Sequence, residues 1–156
     1  MLRKNTLWMF PLAFVTLLSL MAACGSAEVK ERGDEAAPPI AGQRVGTDGG
    51  VYYDVSPQEL GSMLDSKDFL LVNVHIPYEG QVDGTDLFLP YDEISERLDQ
   101  LPSQREAKIV VYCRSGSMSA TAAKTLVRLG YTNVWNLDGG MIAWEEAGFP
   151  LIDAQS

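Results

Sequence analysis

Late in the chain, a short apolar run, a glycine-containing loop and a helical pattern follow one another. Ile109–Tyr112 consists of β-branched and aromatic residues, which favour a buried β-strand. Apolar residues, among them Ala123 and Leu126, then recur at helical spacing up to Gly130, and a glycine in that place is typical of a helix end. This order predicts a strand that leads directly into a helix, with Cys113 on the connecting loop.

The same alternation of strands and helices extends over residues 51–156. The sequence predicts strands at 52–55, 69–74, 86–90, 109–112 and 133–137, and helices at about 57–64, 92–100, 120–130 and 140–147. Strands that alternate with helices imply a parallel sheet that is covered on both sides. We therefore expect an α/β fold with a mostly parallel five-stranded sheet, flanked by helices on both faces, in one domain.

The loop gives Cys113 the surroundings of a nucleophile. Backbone N–H groups of residues 114–119 can point at its sulfur, and the start of the following helix adds about half a positive charge. Both favour the thiolate, which is the reactive form of cysteine. Ligands of such sheets bind beyond the carboxyl ends of the strands, where Cys113 falls. We predict that Cys113 is catalytic, with a buried structural cysteine as the alternative.

Several motifs carry a family resemblance. The loop Cys113-Arg-Ser-Gly-x-x-Ser resembles the active-site loop of single-domain rhodaneses, and Asp138-Gly-Gly resembles the turn before their last helix. The resemblance covers residues 51 to 152 and implies a sulfurtransferase, in which Cys113 takes sulfane sulfur from a small donor as a persulfide. A thiol or cyanide-like acceptor, or a partner protein that carries a persulfide, completes the implied reaction. The implied substrate-binding residues are Arg114, Ser115, Gly116, Ser117, Met118 and Ser119.

Three positions depart from the family pattern. Met118 stands where many active rhodaneses have an arginine, so we expect weak binding of the thiosulfate dianion and better use of less charged donors. Asn73 and His75 stand in a segment that is often Asp-x-Arg, and we regard both as candidate auxiliary residues. The alternative for His75 is a packed, hydrogen-bonded side chain. Gln81 replaces a histidine within residues 79–85, which we expect to close the site as a structural element.

The first 23 residues have the pattern of a secretory signal peptide. Two cations precede the apolar run Leu7–Leu20, which is shorter than the about 20 residues of a membrane span. Met21-Ala-Ala-Cys24 resembles the lipobox of bacterial lipoproteins, which implies lipidation of Cys24. Residues 24–50 are rich in glycine, alanine, proline and charge, so we expect a flexible tether. We therefore expect export and attachment to a bacterial membrane through Cys24, with an ordinary secretion signal as the alternative.

The formal net charge of the chain at pH 7 is -9, which disfavours nucleic acid as a partner and electrostatic adhesion to anionic lipid. One histidine and one free cysteine do not make a metal site, and no dinucleotide or P-loop motif is present, so we expect neither metal nor cofactor. Two other functions stay open. One is a non-catalytic rhodanese-like module that binds a partner or a sulfur species. The other is a phosphatase or arsenate reductase, which would need a longer loop closed by an arginine.

Overall fold

The computed structural model describes residues 42–153. Its elements are β1 (Gln43–Thr47), β2 (Gly50–Val55), α1 (Pro57–Leu64), β3 (Leu70–Asn73), β4 (Gln81–Val82), β5 (Leu87–Phe88), β6 (Ile109–Tyr112), α2 (Ser117–Arg128), β7 (Val134–Leu137), α3 (Gly140–Glu146) and β8 (Leu151–Ile152). The predicted signal peptide, Cys24 and most of the predicted tether lie outside this range. Within it, no helix is long and apolar enough to cross a membrane.

A six-stranded sheet with the strand order β1-β2-β7-β6-β3-β5 forms the centre of the domain. From β2 to β5 all neighbouring strands are parallel, and β1 runs antiparallel to β2 at one edge. The mostly parallel α/β fold is therefore confirmed, with one strand more than the five expected. The short strands β4 and β8 pair separately and antiparallel.

Strand β1 corrects the prediction that the flexible tether extends to residue 50. All five residues of Gln43–Thr47 pair with β2, and Val45 packs against the core. The folded domain thus begins before residue 51. The sequence Gln-Arg-Val-Gly-Thr contains a single large apolar residue, so it has no apolar periodicity that would predict a strand. The strand is stabilised by backbone hydrogen bonds to β2, which the sequence pattern does not reveal.

The helix predicted at 92–100 is also wrong. The segment forms successive turns and one 3-10 turn at Leu98–Gln100. The Glu96 N–H donates a hydrogen bond to the Glu93 carbonyl, and the Arg97 N–H donates one to the Ile94 carbonyl. Ile94 and the following Leu101 are nonetheless buried. The apolar residues reach the core without a regular helix, so their spacing suggested a helix that the backbone does not form.

Both faces of the sheet are covered, as expected. Along β6, Ile109 and Val111 face the core that includes α2, whereas Val110 and Tyr112 face the core that includes α1 and α3. All four residues are therefore buried, which explains the continuous apolar run of a central parallel strand. Cys113 follows this strand at the carboxyl edge of the sheet.

Candidate active site

Cys113 lies just beyond the carboxyl end of β6, between the neighbouring strands β3 and β7. Only 1% of its surface is exposed. The Gly116 N–H donates a hydrogen bond to the Cys113 Sγ at 3.2 Å, and the Ser119 hydroxyl lies 3.4 Å from the same atom. Both donors are placed to stabilise a negative charge on the sulfur.

The turn at Gly116 lets the chain pass from the loop into α2. Gly116 has a φ of +87°, in the left-handed region that glycine adopts without strain. The Ser119 hydroxyl, which is fully buried, also lies 3.1 Å from the Gly116 carbonyl oxygen. Its single proton can serve the carbonyl or the sulfur, one at a time. Ser119 thus contacts the reactive atom directly from the first turn of α2.

The start of α3 fixes the other side of the loop. The Met141 N–H donates to the Cys113 carbonyl at 2.9 Å, and the Ile142 N–H donates to the Arg114 carbonyl at 3.0 Å. A Cβ built on Gly140 would overlap the Cys113 carbonyl oxygen. These two bonds fix the path of the loop from which the Gly116 N–H reaches the sulfur.

The remaining predicted loop residues differ in their exposure to solvent. Ser115 and Ser117 are exposed, and Arg114 has a half-exposed side chain. Met118 is partly buried and packs against the core on the α2 side of the sheet. The structure therefore brings Gly116 and Ser119 to the sulfur of Cys113 and directs Met118 into the packing of the domain.

Asn73 holds the segment that follows β3. Its side chain is fully buried, its Nδ2 donates to the Gly80 carbonyl at 3.0 Å, and its Oδ1 accepts from the His75 N–H at 3.0 Å. Both bonds go to backbone groups, so Asn73 fixes the path of residues 75–80. It thereby positions the segment that carries His75 and Glu79.

His75 and Arg114 meet at a carboxylate that the sequence did not single out. The Glu79 Oε2 lies 3.2 Å from the Arg114 Nε and 3.4 Å from the His75 Nε2. The His75 ring is packed in the interior, and neither of its nitrogens makes a hydrogen bond among the described residues. Glu79 belongs to the segment expected to be purely structural, and its place beside the cysteine loop comes from the fold.

Tyr112 ties the next part of this segment to the sheet. Its hydroxyl oxygen accepts the Val82 N–H at 3.1 Å and lies 2.7 Å from the Thr85 hydroxyl. Burial raises the pKa of Tyr112 to about 12. The pairing of β4 with β8 adds a second attachment. Val82 and Thr85 therefore attach this segment to the domain, whereas Asp83 and Gly84 between them are exposed.

Two carboxylates lie near the carboxyl edge of the sheet, Asp54 in the last part of β2 and Asp138 directly after β7. Burial raises the pKa of Asp54, the negative charge of Asp138 raises it further, and a 2.7 Å hydrogen bond donated by Asn136 Nδ2 opposes the shift. Within residues 42–153, no group of three or more histidine, cysteine, aspartate or glutamate side chains is arranged to hold a metal ion.

Comparison with known proteins gives concordant matches. Residues 56–147 match the family described as "Rhodanese-like domain". A sulfurtransferase from Allochromatium vinosum is 37% identical over 103 residues, which cover 64% of this chain and 94% of that protein. A tRNA uridine(34) hydroxylase from Erwinia tasmaniensis is 30% identical over 115 residues, or 67% of this chain, but the match spans only 32% of that protein.

A solved structure shares the fold over most of its length. The polysulfide-sulfur transferase homodimer from Wolinella succinogenes superposes with a TM-score of 0.54 at 27% identity. The match covers 65% of this chain and 79% of that one.

Proposed function

The chain belongs to the rhodanese-like domain family, and we propose that it is a sulfurtransferase that carries sulfane sulfur as a persulfide on Cys113. The observation that carries this proposal is the pair of donors, the Gly116 N–H and the Ser119 hydroxyl, directed at the Cys113 Sγ. The relatives named as a sulfurtransferase and a polysulfide-sulfur transferase support the same class of reaction.

The proposed reaction has two displacements. The Cys113 thiolate attacks the sulfane sulfur of a donor, and the bond between that sulfur and the rest of the donor breaks, so the leaving group takes the electron pair. An acceptor thiolate or cyanide then attacks the outer sulfur of the persulfide and restores the Cys113 thiolate. In both steps the Gly116 N–H and the Ser119 hydroxyl stabilise negative charge at the cysteine sulfur.

Intact-protein mass measurement tests the proposal. After incubation with thiosulfate or polysulfide, the folded domain should gain the mass of one sulfur atom, and a thiol reductant should remove it. The matched variant C113S should gain nothing. Absence of the addition with every sulfane donor in the wild-type domain would rule out the persulfide.

A non-catalytic binding module is the second candidate, and the near-complete burial of Cys113 favours it. A module of this kind would leave Cys113 unreactive toward sulfane donors and iodoacetamide in the folded protein. Unfolding in denaturant would then expose the thiol to alkylation. A sulfurtransferase should react in the folded state, so alkylation before and after unfolding separates the two candidates.

We also propose that the protein is exported and attached to a bacterial membrane by lipid on Cys24. The signal-peptide pattern of residues 1–23 and the lipobox-like Met21-Ala-Ala-Cys24 support this. Growth with a labelled fatty acid should mark the wild-type protein and C113S but not C24A. Membrane attachment that persists in C24A would show that the anchor lies elsewhere.

A further inference from the structure

We propose that Glu79 sets the donor selectivity of the site by neutralising Arg114. The site then favours sulfane donors with little negative charge over the thiosulfate dianion. This inference rests on the proposed sulfurtransferase function and specifies its substrate class.

The first observation is the contact between the two charges. The Glu79 Oε2 lies 3.2 Å from the Arg114 Nε, and 42% and 43% of the two side chains are exposed. Arg114 directly follows Cys113 and is the single charged residue between positions 113 and 119. An anionic donor that approaches the sulfur therefore meets a guanidinium whose charge is already paired, and the pairing carboxylate repels the donor.

The second observation is that the position of Glu79 is fixed by the backbone around it. Asn73 binds the Gly80 carbonyl and the His75 N–H, which anchors both ends of the segment that carries Glu79. The same Glu79 oxygen also contacts the His75 Nε2 at 3.4 Å. A carboxylate on a segment anchored in this way is held over the loop by the fold and not only by its attraction to Arg114.

The third observation is that the loop from Cys113 to Ser119 has no second cation to replace the positive charge of Arg114 that Glu79 neutralises. Met118 is uncharged and packs against the core, so it offers no second cation to a dianion. The charges of Arg114 and Glu79 sum to zero at neutral pH. The repulsive energy between Glu79 and a donor with two negative charges is about twice that for a donor with one.

Two small donors of similar shape make this difference measurable. Thiosulfate is a dianion, and its sulfane sulfur passes to the Cys113 thiolate while the S–S bond breaks and sulfite leaves with the electron pair. Methanethiosulfonate is a monoanion, in which a methyl group replaces one anionic oxygen, and its transfer releases methanesulfinate. Both reactions leave the same persulfide on Cys113, so their rate constants can be compared directly.

The experiment measures the second-order rate constant of persulfide formation with each donor, by intact mass in single-turnover reactions. We compare the wild-type protein with the E79Q and D68N variants. Asp68 pairs with Lys108 at 2.7 Å next to the amino end of β3, at the opposite edge of the sheet from Cys113. D68N therefore changes the net charge as E79Q does, but far from the loop.

In E79Q the ratio of the thiosulfate to the methanethiosulfonate rate constant should rise about fivefold, and the rise should shrink at high salt. In D68N the ratio should stay at the wild-type value. A ratio that does not rise in folded E79Q overturns the role of Glu79 and leaves the persulfide chemistry intact. Absence of persulfide with both donors in every variant overturns the proposed function itself.

A second variant, R114Q, tests the pairing from the Arg114 side, both alone and combined with E79Q. R114Q should lower the thiosulfate rate constant only weakly in the wild-type background, because its charge is already paired. In the E79Q background the same change should lower that rate constant about fivefold more. Equal effects of R114Q in both backgrounds would contradict the proposal.

Discussion

Gly140 packs so closely on Cys113 that a side chain at position 140 would overlap the Cys113 carbonyl oxygen. The two residues belong to different strand-to-helix connections, after β7 and after β6. Their contact lets the first N–H groups of α3 bind the carbonyls of the cysteine loop. The geometry of the nucleophile is thus set in part by a turn in another part of the chain.

G140A should therefore destabilise the domain by about 2–4 kcal/mol and abolish persulfide formation. Gly140 has a φ of +60°, so the variant combines backbone strain with the overlap. G130A is the matched control, because Gly130 also has a positive φ, of +92°, but faces open space. G130A should cost about 1 kcal/mol and retain activity. Denaturant unfolding measures both, and equal losses would argue against the overlap.

S119A should slow persulfide formation about three- to tenfold while leaving the fold intact, because the sulfur loses one of its two donors. Thr121 supplies the control, since its hydroxyl donates to the Ser117 carbonyl at 3.2 Å on the exposed side of α2. T121A should react at the wild-type rate. Single-turnover mass measurements with one donor give both rates, and an unchanged rate in S119A would exclude a role for the hydroxyl.

Y112F should cost about 1–3 kcal/mol of unfolding free energy, because the buried Val82 N–H loses its acceptor. The pKa of Tyr112 is raised from 10.0 to about 12, so the folded state keeps its proton where the unfolded state loses it. The raised pKa therefore contributes to the free energy of unfolding fully below about pH 10, and this contribution is lost as the pH rises through about 12. Urea unfolding at about pH 9 and about pH 11 should show a smaller fall for Y112F than for the wild type.

D54N should stabilise the domain near neutral pH by less than about 1 kcal/mol. Burial raises the pKa of Asp54, so its stabilising contribution is present at low pH and is lost as the pH rises through the folded-state value. The gain in the free energy of unfolding of D54N over the wild type should therefore vanish at about pH 3. D68N should act in the opposite direction near neutral pH, because a hydrogen bond from Lys108 lowers the pKa of Asp68. Thermal unfolding at both pH values distinguishes the two variants.

Local patterns were enough to predict the centre of the fold and the cysteine loop. The apolar run Ile109–Tyr112, the loop glycine Gly116 and the helical spacing after it all act within one short segment. Each of them agrees with the observed strand, turn and helix. The order of neighbouring strands then places Cys113 at the carboxyl edge of the sheet.

Contacts between distant segments could not be predicted in this way. Glu79 meets Arg114 only because β3 lies beside β6 in the sheet and Asn73 fixes the intervening turn. Strand β1 depends on a partner, β2, and contributes one large apolar residue to the pattern. In both cases the stabilising partner lies outside the window in which a residue pattern can be recognised.

The antiparallel direction of β1 determines the edge of the sheet at which its first strand begins. Because Gln43 pairs with Asp54, the chain enters the sheet near the end of β2 where the carboxyl edge begins. The first strand of the sheet therefore begins at the same edge as Cys113. A first strand parallel to β2 would have begun at the amino edge of the sheet, on the side away from the reactive sulfur.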